Sequence, residues 1–475
     1  MSMPQIAAPA GSDWKTFLRL LCSVALPVAL QSLISTSASM VDTVMLATLG
    51  ETVVGSIGIC GQFTYLVWSV YSGFMVAGTL FIAQYWGAKD EKKICASYGL
   101  MVAIVMAIGI SAGVMCFCSP YTIMALYTDK QVFWDVGARY LRFMAFSIPM
   151  QIYAACMSSM LRATERIRIP FNASMASLAA NLIGNYLLIF GKFGLPRLGV
   201  DGAAIATLLS NAVNIGVMTV LAQKDRHPYL LRIRSHFVWE RAFIRQYLAK
   251  CAPVLCNNLV MGIARMAINV IMGRQAAEAI AALAVFRTFE SFVGSFNAGF
   301  NNSASILVGK QVGAGRHELA FRRAKQLITV IPIVILVCCG IFLCFHRPFL
   351  TAMSLSGESY EIGRSLLFAF SIVAAVRMPN WAMNDTFRSA GDAVYGTVME
   401  IVFMYALVLP CMYICGMKMD LPFLFVFLAA YVDEPVRLIV MLRHNVSGRW
   451  IRPVTAEGMA TIGAFREAHG IRMKK

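Results

Sequence analysis

The chain contains 475 residues, of which 59% are hydrophobic and 14% are charged, against about 25% charged in ordinary globular proteins. Its net charge of +17 could indicate nucleic-acid binding, but the basic residues follow short connecting segments and leave no folded domain to host it. The composition excludes an ordinary soluble domain. It predicts an all-α polytopic membrane protein that does not bind nucleic acid.

Twelve apolar segments are long enough to cross a bilayer, which takes about 20 residues. Basic residues concentrate in alternate connecting segments, and the positive-inside rule then places both termini in the cytoplasm. The first run is about 30 residues long, too long for the core of a signal peptide. The predicted spans lie near residues 17–47, 53–86, 94–118, 133–160, 170–191, 202–223, 243–272, 279–309, 326–346, 364–388, 394–416 and 421–442.

The longest polar connector begins at Lys224 and divides the spans six and six. We therefore predict an N-terminal lobe at 1–223, a cytoplasmic basic linker at 224–242, a C-terminal lobe at 243–445 and a cytoplasmic tail at 446–475. The tail is expected to be partly disordered after Arg452. The segments QYWGAKD and KQVGAGR resemble phosphate loops, but each follows a long apolar helix and is typical of a helix end with a tight turn.

The two halves are similar to each other in the register that aligns Pro27 with Pro253, with 13 identities over Pro27 to Ala88. Six spans separate equivalent points, so both copies enter the membrane from the same side. The lobes are then related by a pseudo-two-fold axis along the membrane normal, the arrangement of alternating-access carriers. Each of the two aligned prolines is expected to kink the first helix of its lobe, either to allow bending or to shape the bundle.

Asp42 is the only charged residue between Leu20 and Gly50. A carboxylate at the centre of a bilayer costs roughly 2.5–3.5 kcal/mol on insertion scales and usually serves a function. An isolated buried acid is suited to taking up and releasing a proton. The alternative is a structural acid that is hydrogen-bonded to Asn181, Asn185 or Gln31 and fixes helix packing; Asn181 and Asn185 lie four residues apart on one helix face.

Several motifs together resemble the multidrug and toxic compound extrusion (MATE) family, over roughly residues 15–452. They are VDTVMLATLGE, AQYWGAKDEKKI, LRATER, NLIGNYLLIFGKFGLPRLGVDGAAIAT and FRSAGDAVYG. The resemblance implies twelve helices in two six-helix lobes and export of small molecules driven by a proton or sodium gradient.

By this resemblance, Asp42 matches the acidic residue that family members use for cation coupling. Asn181 matches the asparagine of an NxxxD pattern whose aspartate is Asn185 here. Tyr140 falls about where some members place a tyrosine of the same network.

Sodium-coupled members also use carboxylates on the seventh and tenth helices. This chain has no Asp or Glu between Gln246 and Ala277, and Arg377 stands near the expected tenth-helix position. The departure favours protons over sodium as the coupling ion.

Charged residues are more numerous in the second lobe, and their predicted depth sorts them into two groups. An outer group is a candidate substrate or ion site and has a net positive charge that would suit an anionic or zwitterionic compound: Arg265, Arg287, Glu290 and Arg377. An inner group is expected to form salt bridges that lock the last three helices, and its Asp385 is also a candidate for a second proton site: Asp385, Arg388, Glu400, Asp433, Glu434 and Arg437.

The favoured interpretation is an antiporter of the inner membrane that exports amphipathic drugs, toxins or metabolites as a monomer, with no cofactor. A flippase for a lipid-linked precursor is the alternative. No HExxH motif indicates an enzyme, and the thirteen cysteines lie mostly inside apolar runs without the spacing of a metal site. The expected partners are a small-molecule substrate and membrane lipid.

Overall fold

The computed structural model describes residues 14–194, 196–227, 236–237, 239–353, 355–419 and 421–471. The first half of the chain forms six helices that are long and apolar enough to cross a membrane, together with one short helix. They are α1 (Trp14–Ala47), α2 (Glu51–Ala88), α3 (Glu91–Cys118), α4 (Pro120–Tyr127), α5 (Trp134–Ala163), α6 (Arg168–Phe190) and α7 (Val200–Lys224).

Within the described residues, the second half contains five further spans of sufficient length and hydropathy. π-helical turns at 305–309 and 404–408 interrupt two of these spans without ending them, and a third, at 414–418, ends the second of the two. The helices are α8 (Arg241–Gly273), α9 (Ala277–Ala304), α10 (Lys310–Gly313), α11 (His317–Cys344), α12 (His346–Ala352), α13 (Gly357–Ser389), α14 (Ala393–Phe403), α15 (Leu409–Tyr413), α16 (Phe423–Ala429), α17 (Asp433–Ser447) and α18 (Ala456–Ala468).

The predicted twelfth span, 421–442, is not one continuous helix. It consists of α16 and α17, separated by a turn at 430–432. Pro435 has no backbone N–H to bond the carbonyl one turn earlier, and proline is tolerated in the first turn of a helix, so α17 begins afresh at Asp433. Asp433 and Glu434 then lie at a helix N-terminus, where negative charge is favoured.

The two halves are repeats in structure as well as in sequence. The short helices α4 and α12 begin at Pro120 and His346, which the register of Pro27 on Pro253 makes equivalent positions. Across the lobe boundary, α1 packs on α9 and α2 packs on α8. These contacts are the reciprocal pair that a two-fold relation between the lobes requires. The chain is an all-α protein of twelve membrane segments in two six-helix lobes, as predicted.

Each lobe has its own apolar core. In the second lobe, Phe286 is fully buried and meets Phe370 and Phe427 edge to face, with centroids 4.9 and 4.8 Å apart. Edge-to-face rings stabilise a core beyond the burial of their area, because ring edges are positive and ring faces negative. Phe17 and Leu21 of α1 pack into this same core, so the first helix is shared between the lobes.

The tail is more ordered than predicted. Residues 456–468 form α18, and its Ile462 and Phe465 pack into the second-lobe core. Nearly half of the predicted linker, residues 228–235 and 238, lies outside the described residues, as do 1–13 and 472–475. The tight turns expected at QYWGAKD and KQVGAGR are confirmed, since Lys89 and Gly315 within these segments have φ angles of 59° and 71°.

Candidate functional site

Asp42 lies near the end of α1 and faces two buried asparagines of α6. The Asn185 amide nitrogen donates a hydrogen bond of 2.7 Å to Oδ1 of Asp42. With the Asn181 amide turned so that its nitrogen faces the acid, that nitrogen lies 3.1 Å from both carboxylate oxygens. The four-residue spacing on one helix face therefore gives the carboxylate two amide donors, as the sequence indicated.

The other residues proposed for this site are placed differently. Tyr140, on α5, is within electrostatic range of Asp42. Gln31 takes no part: its amide nitrogen donates to Ser174 Oγ at 2.5 Å and its carbonyl oxygen accepts from Arg162 at 3.1 Å. The suggested bond from Gln31 to the acid is therefore wrong, and the described partners of Asp42 are the two asparagines.

The second-lobe acids contrast with Asp42 because arginines neutralise them. Glu434 lies 2.6 Å from Arg437 and 3.6 Å from Arg377, and Arg437 is also 3.4 Å from Asp433. Arg377 donates a 2.7 Å hydrogen bond to Glu290. Asn380 adds a 2.7 Å donor to Glu434.

The predicted division of these charges into two depth groups is wrong. Glu290 and Arg377 belong to the same cluster as Glu434, because the turn before α17 brings Glu434 up to α13. The Arg377 guanidinium also lies 4.5 Å from the Trp381 ring and 5.0 Å from the Tyr431 ring. Cation–π contacts and two carboxylates therefore satisfy Arg377, which is unavailable as a free positive surface.

A second cluster forms around Arg388, which lies 3.6 Å from Asp385 and 3.9 Å from Glu400. Asn257 and Asn384 donate to Glu400 at 3.0 and 3.3 Å. This cluster lines a cavity of about 230 Å³ between the lobes, whose other walls include Tyr65, Trp68 and Trp381. The cavity thus combines aromatic faces with charges of both signs.

The remaining two arginines of the predicted outer group lie apart. Arg265 donates to the Tyr65 hydroxyl at 2.8 Å, across the lobe boundary, and Arg287 donates to Asn269 at 2.8 Å. A wider cavity of about 580 Å³ adjoins Arg265, Asn269 and Tyr65. Among the described residues, Arg265 is the one member of the outer group that lines either cavity.

At the opposite end of α2 the lobes are in direct contact. A Cβ on Gly87 would collide with the Lys310 carbonyl oxygen, and a Cβ on Gly313 would collide with the Gln84 carbonyl oxygen. These are equivalent pairs, since the repeat aligns Gly87 with Gly313 and Gln84 with Lys310. We call segments 84–90 and 310–316 the basal junction. It lies on the pseudo-two-fold axis.

Two side chains fasten the basal junction reciprocally. Lys310 of the second lobe bonds Glu165 of the first at 2.8 Å, and Gln84 of the first lobe donates to the Ser389 carbonyl of the second at 2.9 Å. Gln84, Lys310 and Glu165 were not identified from the sequence as residues that join the lobes. The internal repeat was the available signal, because it makes residues 84 and 310 equivalent.

Pro27 and Pro253 lie inside α1 and α8, both of which continue past them. Beside Pro27, α1 approaches α9 so closely that a Cβ on Gly299 would collide with the Ala25 carbonyl oxygen. The first proline therefore lies in the interface between lobes. The structure shows a continuous helix at each proline and no break.

Two repeated helical lobes, facing cavities and an isolated intramembrane acid define a polytopic membrane transporter. The MatE family model matches residues 27–187 and 253–414, two matches that begin at the equivalent prolines of the repeat and together cover more than half of the chain. The chain therefore belongs to the MATE family of multidrug efflux transporters, which are integral membrane proteins and not enzymes.

Individual relatives agree with this assignment. The chain is 24% identical to the "Uncharacterized transporter YisQ" of Bacillus subtilis, over 88% of this chain and 91% of that protein. It is also 24% identical to the "Probable multidrug resistance protein NorM" of Thermotoga maritima, over 90% and 92%.

Solved structures share the fold. An outward-facing MATE transporter has a TM-score of 0.80 at 15% identity, with 95% of this chain and 97% of that one covered. The VcmN transporter of Vibrio cholerae in its bent form also has a TM-score of 0.80, at 18% identity over 91% and 97%.

Proposed function

We propose that this protein exports amphipathic small molecules in exchange for protons, by alternating access between its two lobes. Asp42 carries the proton. The main support is that, among the described residues, the Asp42 carboxylate is held by amides and forms no ion pair, whereas Glu290, Asp385, Glu400, Asp433 and Glu434 all face arginines. Protonation of Asp42 removes a charge that no neighbouring cation offsets.

The geometry of the amides couples this proton to helix position. A carboxylate accepts hydrogen bonds only, so both asparagines present their nitrogens to the ionised acid. When one oxygen becomes an O–H donor, it requires an acceptor, and a side-chain amide must turn to offer its carbonyl oxygen. Loading a proton therefore rearranges the contact between α1 and α6.

The two adjoining cavities between α2 and α8 supply the substrate path. Tyr65, Trp68 and Trp381 offer flat apolar faces, which accept ligands of varied shape. Arg265, Arg388, Asp385 and Glu400 supply both signs of charge, and Arg377 is neutralised. This lining favours amphipathic molecules and removes the argument for an anion-selective surface.

The distribution of basic residues supports an inner-membrane orientation with both termini in the cytoplasm. The basal junction then lies on the cytoplasmic side, and the cavities beside Tyr65 face outward. The arrangement of the lobes is accordingly an outward-facing state.

The test uses purified protein in liposomes with an imposed pH gradient, with and without sodium, and a fluorescent substrate. We expect a proton gradient alone to drive transport and Asp42→Asn to reduce it to the level of empty liposomes, because an amide cannot release a proton. Asp201→Asn is the matched control, since that acid of the same lobe is paired with Arg139. Dependence on sodium, or persistent transport by Asp42→Asn, would refute the proposal.

A further inference from the structure

The side chain of Gln84 joins three parts of the molecule. It is fully buried at the end of α2, in the first lobe. Its amide nitrogen donates to the Ser389 carbonyl of the second lobe, and its amide oxygen accepts a 2.9 Å hydrogen bond from the Val454 N–H of the tail. One residue therefore connects both lobes and the C-terminal segment.

The tail segment 452–468, which we call the C-terminal strap, is fixed to the second lobe along its length. The Arg452 N–H donates to the Ala390 carbonyl at 2.9 Å. The Thr455 hydroxyl donates to the Gly313 carbonyl at 2.7 Å, and His317 Nε2 lies 2.9 Å from the Gly458 carbonyl oxygen. All three contacts lie beside the basal junction.

Thr455 has a second role, because its hydroxyl also accepts a 3.1 Å hydrogen bond from the Gly458 N–H and so caps α18. The helix that follows is anchored by Phe465, which packs edge to face on Phe321 with centroids 5.8 Å apart. Thr455 is completely buried. The strap is therefore a built element, and one hydroxyl both starts its helix and fastens it to Gly313.

The apolar side chains of this region divide between the two cores. Ile451, just before the strap, is buried in the second-lobe core, whereas Val454 is buried in the first-lobe core. A segment that follows the second lobe in sequence thus packs against the first lobe beside the basal junction. Separating the lobes at this end must pull Val454 out of its site and break its bond to Gln84.

We infer that the C-terminal strap is a latch that holds the basal junction closed and so biases the transporter toward its outward-facing state. This inference rests on the proposed alternating access, since a latch acts only on lobes that separate. The Val454 contact with Gln84 exists only in the closed arrangement, and the bond from Thr455 to Gly313 holds the strap where that contact can form. Releasing the strap therefore shifts the equilibrium toward opening on the cytoplasmic side.

The experiment measures the distance between the lobes directly. Nitroxide labels are attached through keto amino acids at Arg168 and Val394, exposed and equivalent positions of the repeat in the first turns of α6 and α14. This chemistry leaves the thirteen native cysteines in place. Double electron–electron resonance on the full chain in lipid nanodiscs then reports open and closed populations.

We expect Thr455→Val to raise the open-to-closed ratio about fivefold, because a strap freed from Gly313 no longer holds the Val454 N–H against Gln84, and fivefold is the change expected for losing that one buried hydrogen bond. Phe465→Ala is expected to act in the same direction by loosening α18. Thr219→Val, which removes a hydroxyl bonded within α7, is the matched control and should leave the distances unchanged. Gln84→Met serves as the reference for an opened junction.

Two outcomes separate the latch from the transport cycle. If Gln84→Met or a change of pH lengthens the distance but Thr455→Val and Phe465→Ala do not, the lobes are clasped without the strap and the latch is refuted. If no variant and no pH changes the distance, alternating access itself fails, and the latch fails with it.

Discussion

At the scale of single residues, the two lobes hold their intramembrane acids in different ways. The second lobe surrounds its carboxylates with guanidinium groups. Arg377, for example, faces both Glu290 and Glu434. Removing one partner of such a buried pair leaves an uncompensated charge and costs several kcal/mol. The first lobe gives Asp42 only neutral donors. Ion pairs fix the charge of the second-lobe acids, whereas the proposed protonation of Asp42 would break no ion pair that the structure describes.

Outside the membrane segments, His227 should make stability depend on pH. Burial, and secondly Arg166, lower the pKa of His227 from 6.5 to about 4, and its Nε2 lies 2.9 Å from Thr164 Oγ1. The folded state therefore favours neutral histidine. This contribution is present above pH 6.5 and is lost as the pH falls toward 4, by about 3 kcal/mol.

The measurement is the thermal unfolding midpoint of the parent and His227→Gln, each at pH 7.5 and at pH 4.5. We expect the parent to lose more stability on acidification than the variant, because only the parent must exclude a proton from this site. Parallel losses in the two proteins would contradict the prediction.

Residue spacing in the sequence predicted the site around Asp42, but not the Arg377 cluster or the contacts of Gln84. Asn181 and Asn185 share a helix face by their four-residue separation, so their convergence on one acid could be deduced from the sequence. The contact between Arg377 and Glu434 could not, because it depends on the turn at 430–432, which tilts the start of α17 toward α13. The site at Gln84 depends on a backbone N–H of the distant tail, which no side-chain pattern reveals.

At the scale of helices, glycines allow the backbones of helices from opposite lobes to pack in direct contact. Gly299 of α9 lies against the Ala25 carbonyl of α1, and the obstructing atom is backbone, which cannot turn aside. Gly299→Ala should therefore force α1 and α9 apart and lower the thermal unfolding midpoint by several degrees, as overpacking costs typically about 1–3 kcal/mol.

The same helix provides the control for this prediction. A Cβ at Gly294 would meet nothing within 4 Å, so Gly294→Ala should leave the midpoint unchanged or raise it, since alanine favours a helix over glycine by about 1 kcal/mol. If the two substitutions had equal effects, the contact between α1 and α9 would not be tight.

Helix existence was predictable from hydropathy, whereas helix continuity was not. Eleven of the apolar segments form continuous spans. In the twelfth, Asp433, Glu434 and Pro435 are residues that favour the first turn of a helix, so a new helix begins there and the preceding one does not continue. The tail was expected to be partly disordered after Arg452. Phe465 and Ile462 could order it only because the second-lobe core leaves a surface for them to cover.

At the scale of the whole molecule, duplication explains why closure occurs on the pseudo-two-fold axis. Residues 84 and 310 are equivalent, yet one is glutamine and the other lysine. Each reaches across to the opposite lobe, Lys310 to Glu165 and Gln84 to Ser389. Divergence has therefore left a charged residue, Lys310, and a neutral residue, Gln84, to join the lobes at equivalent places. Within the part of the chain that the structure describes, only Gln84 of these two is hydrogen-bonded to the tail.

This asymmetry allows the charged clasp to be tested alone. Lys310→Glu places a second acid against Glu165 and should favour opening of the basal junction, lowering transport severalfold through repulsion. The effect is moderate because the pair is partly exposed, and such pairs contribute about 0.2–1 kcal/mol. Proton-driven uptake in liposomes at low salt is the measurement.

The reversed pair, Lys310→Glu with Glu165→Lys, should recover part of the lost transport, because the ion pair is restored with its polarity inverted. Recovery should be incomplete, since Arg323 interacts electrostatically with position 165 and Trp86 donates to Glu165 Oε2 at 3.3 Å. Lys325 is an exposed residue of α11 whose ammonium group lies over the Phe321 ring. As a control, transport by Lys325→Glu should not improve when Glu165→Lys is added. If the reversed pair were no better than Lys310→Glu alone, the contact would not act as a clasp, and the glycine contacts at Gly87 and Gly313 would by themselves account for closure.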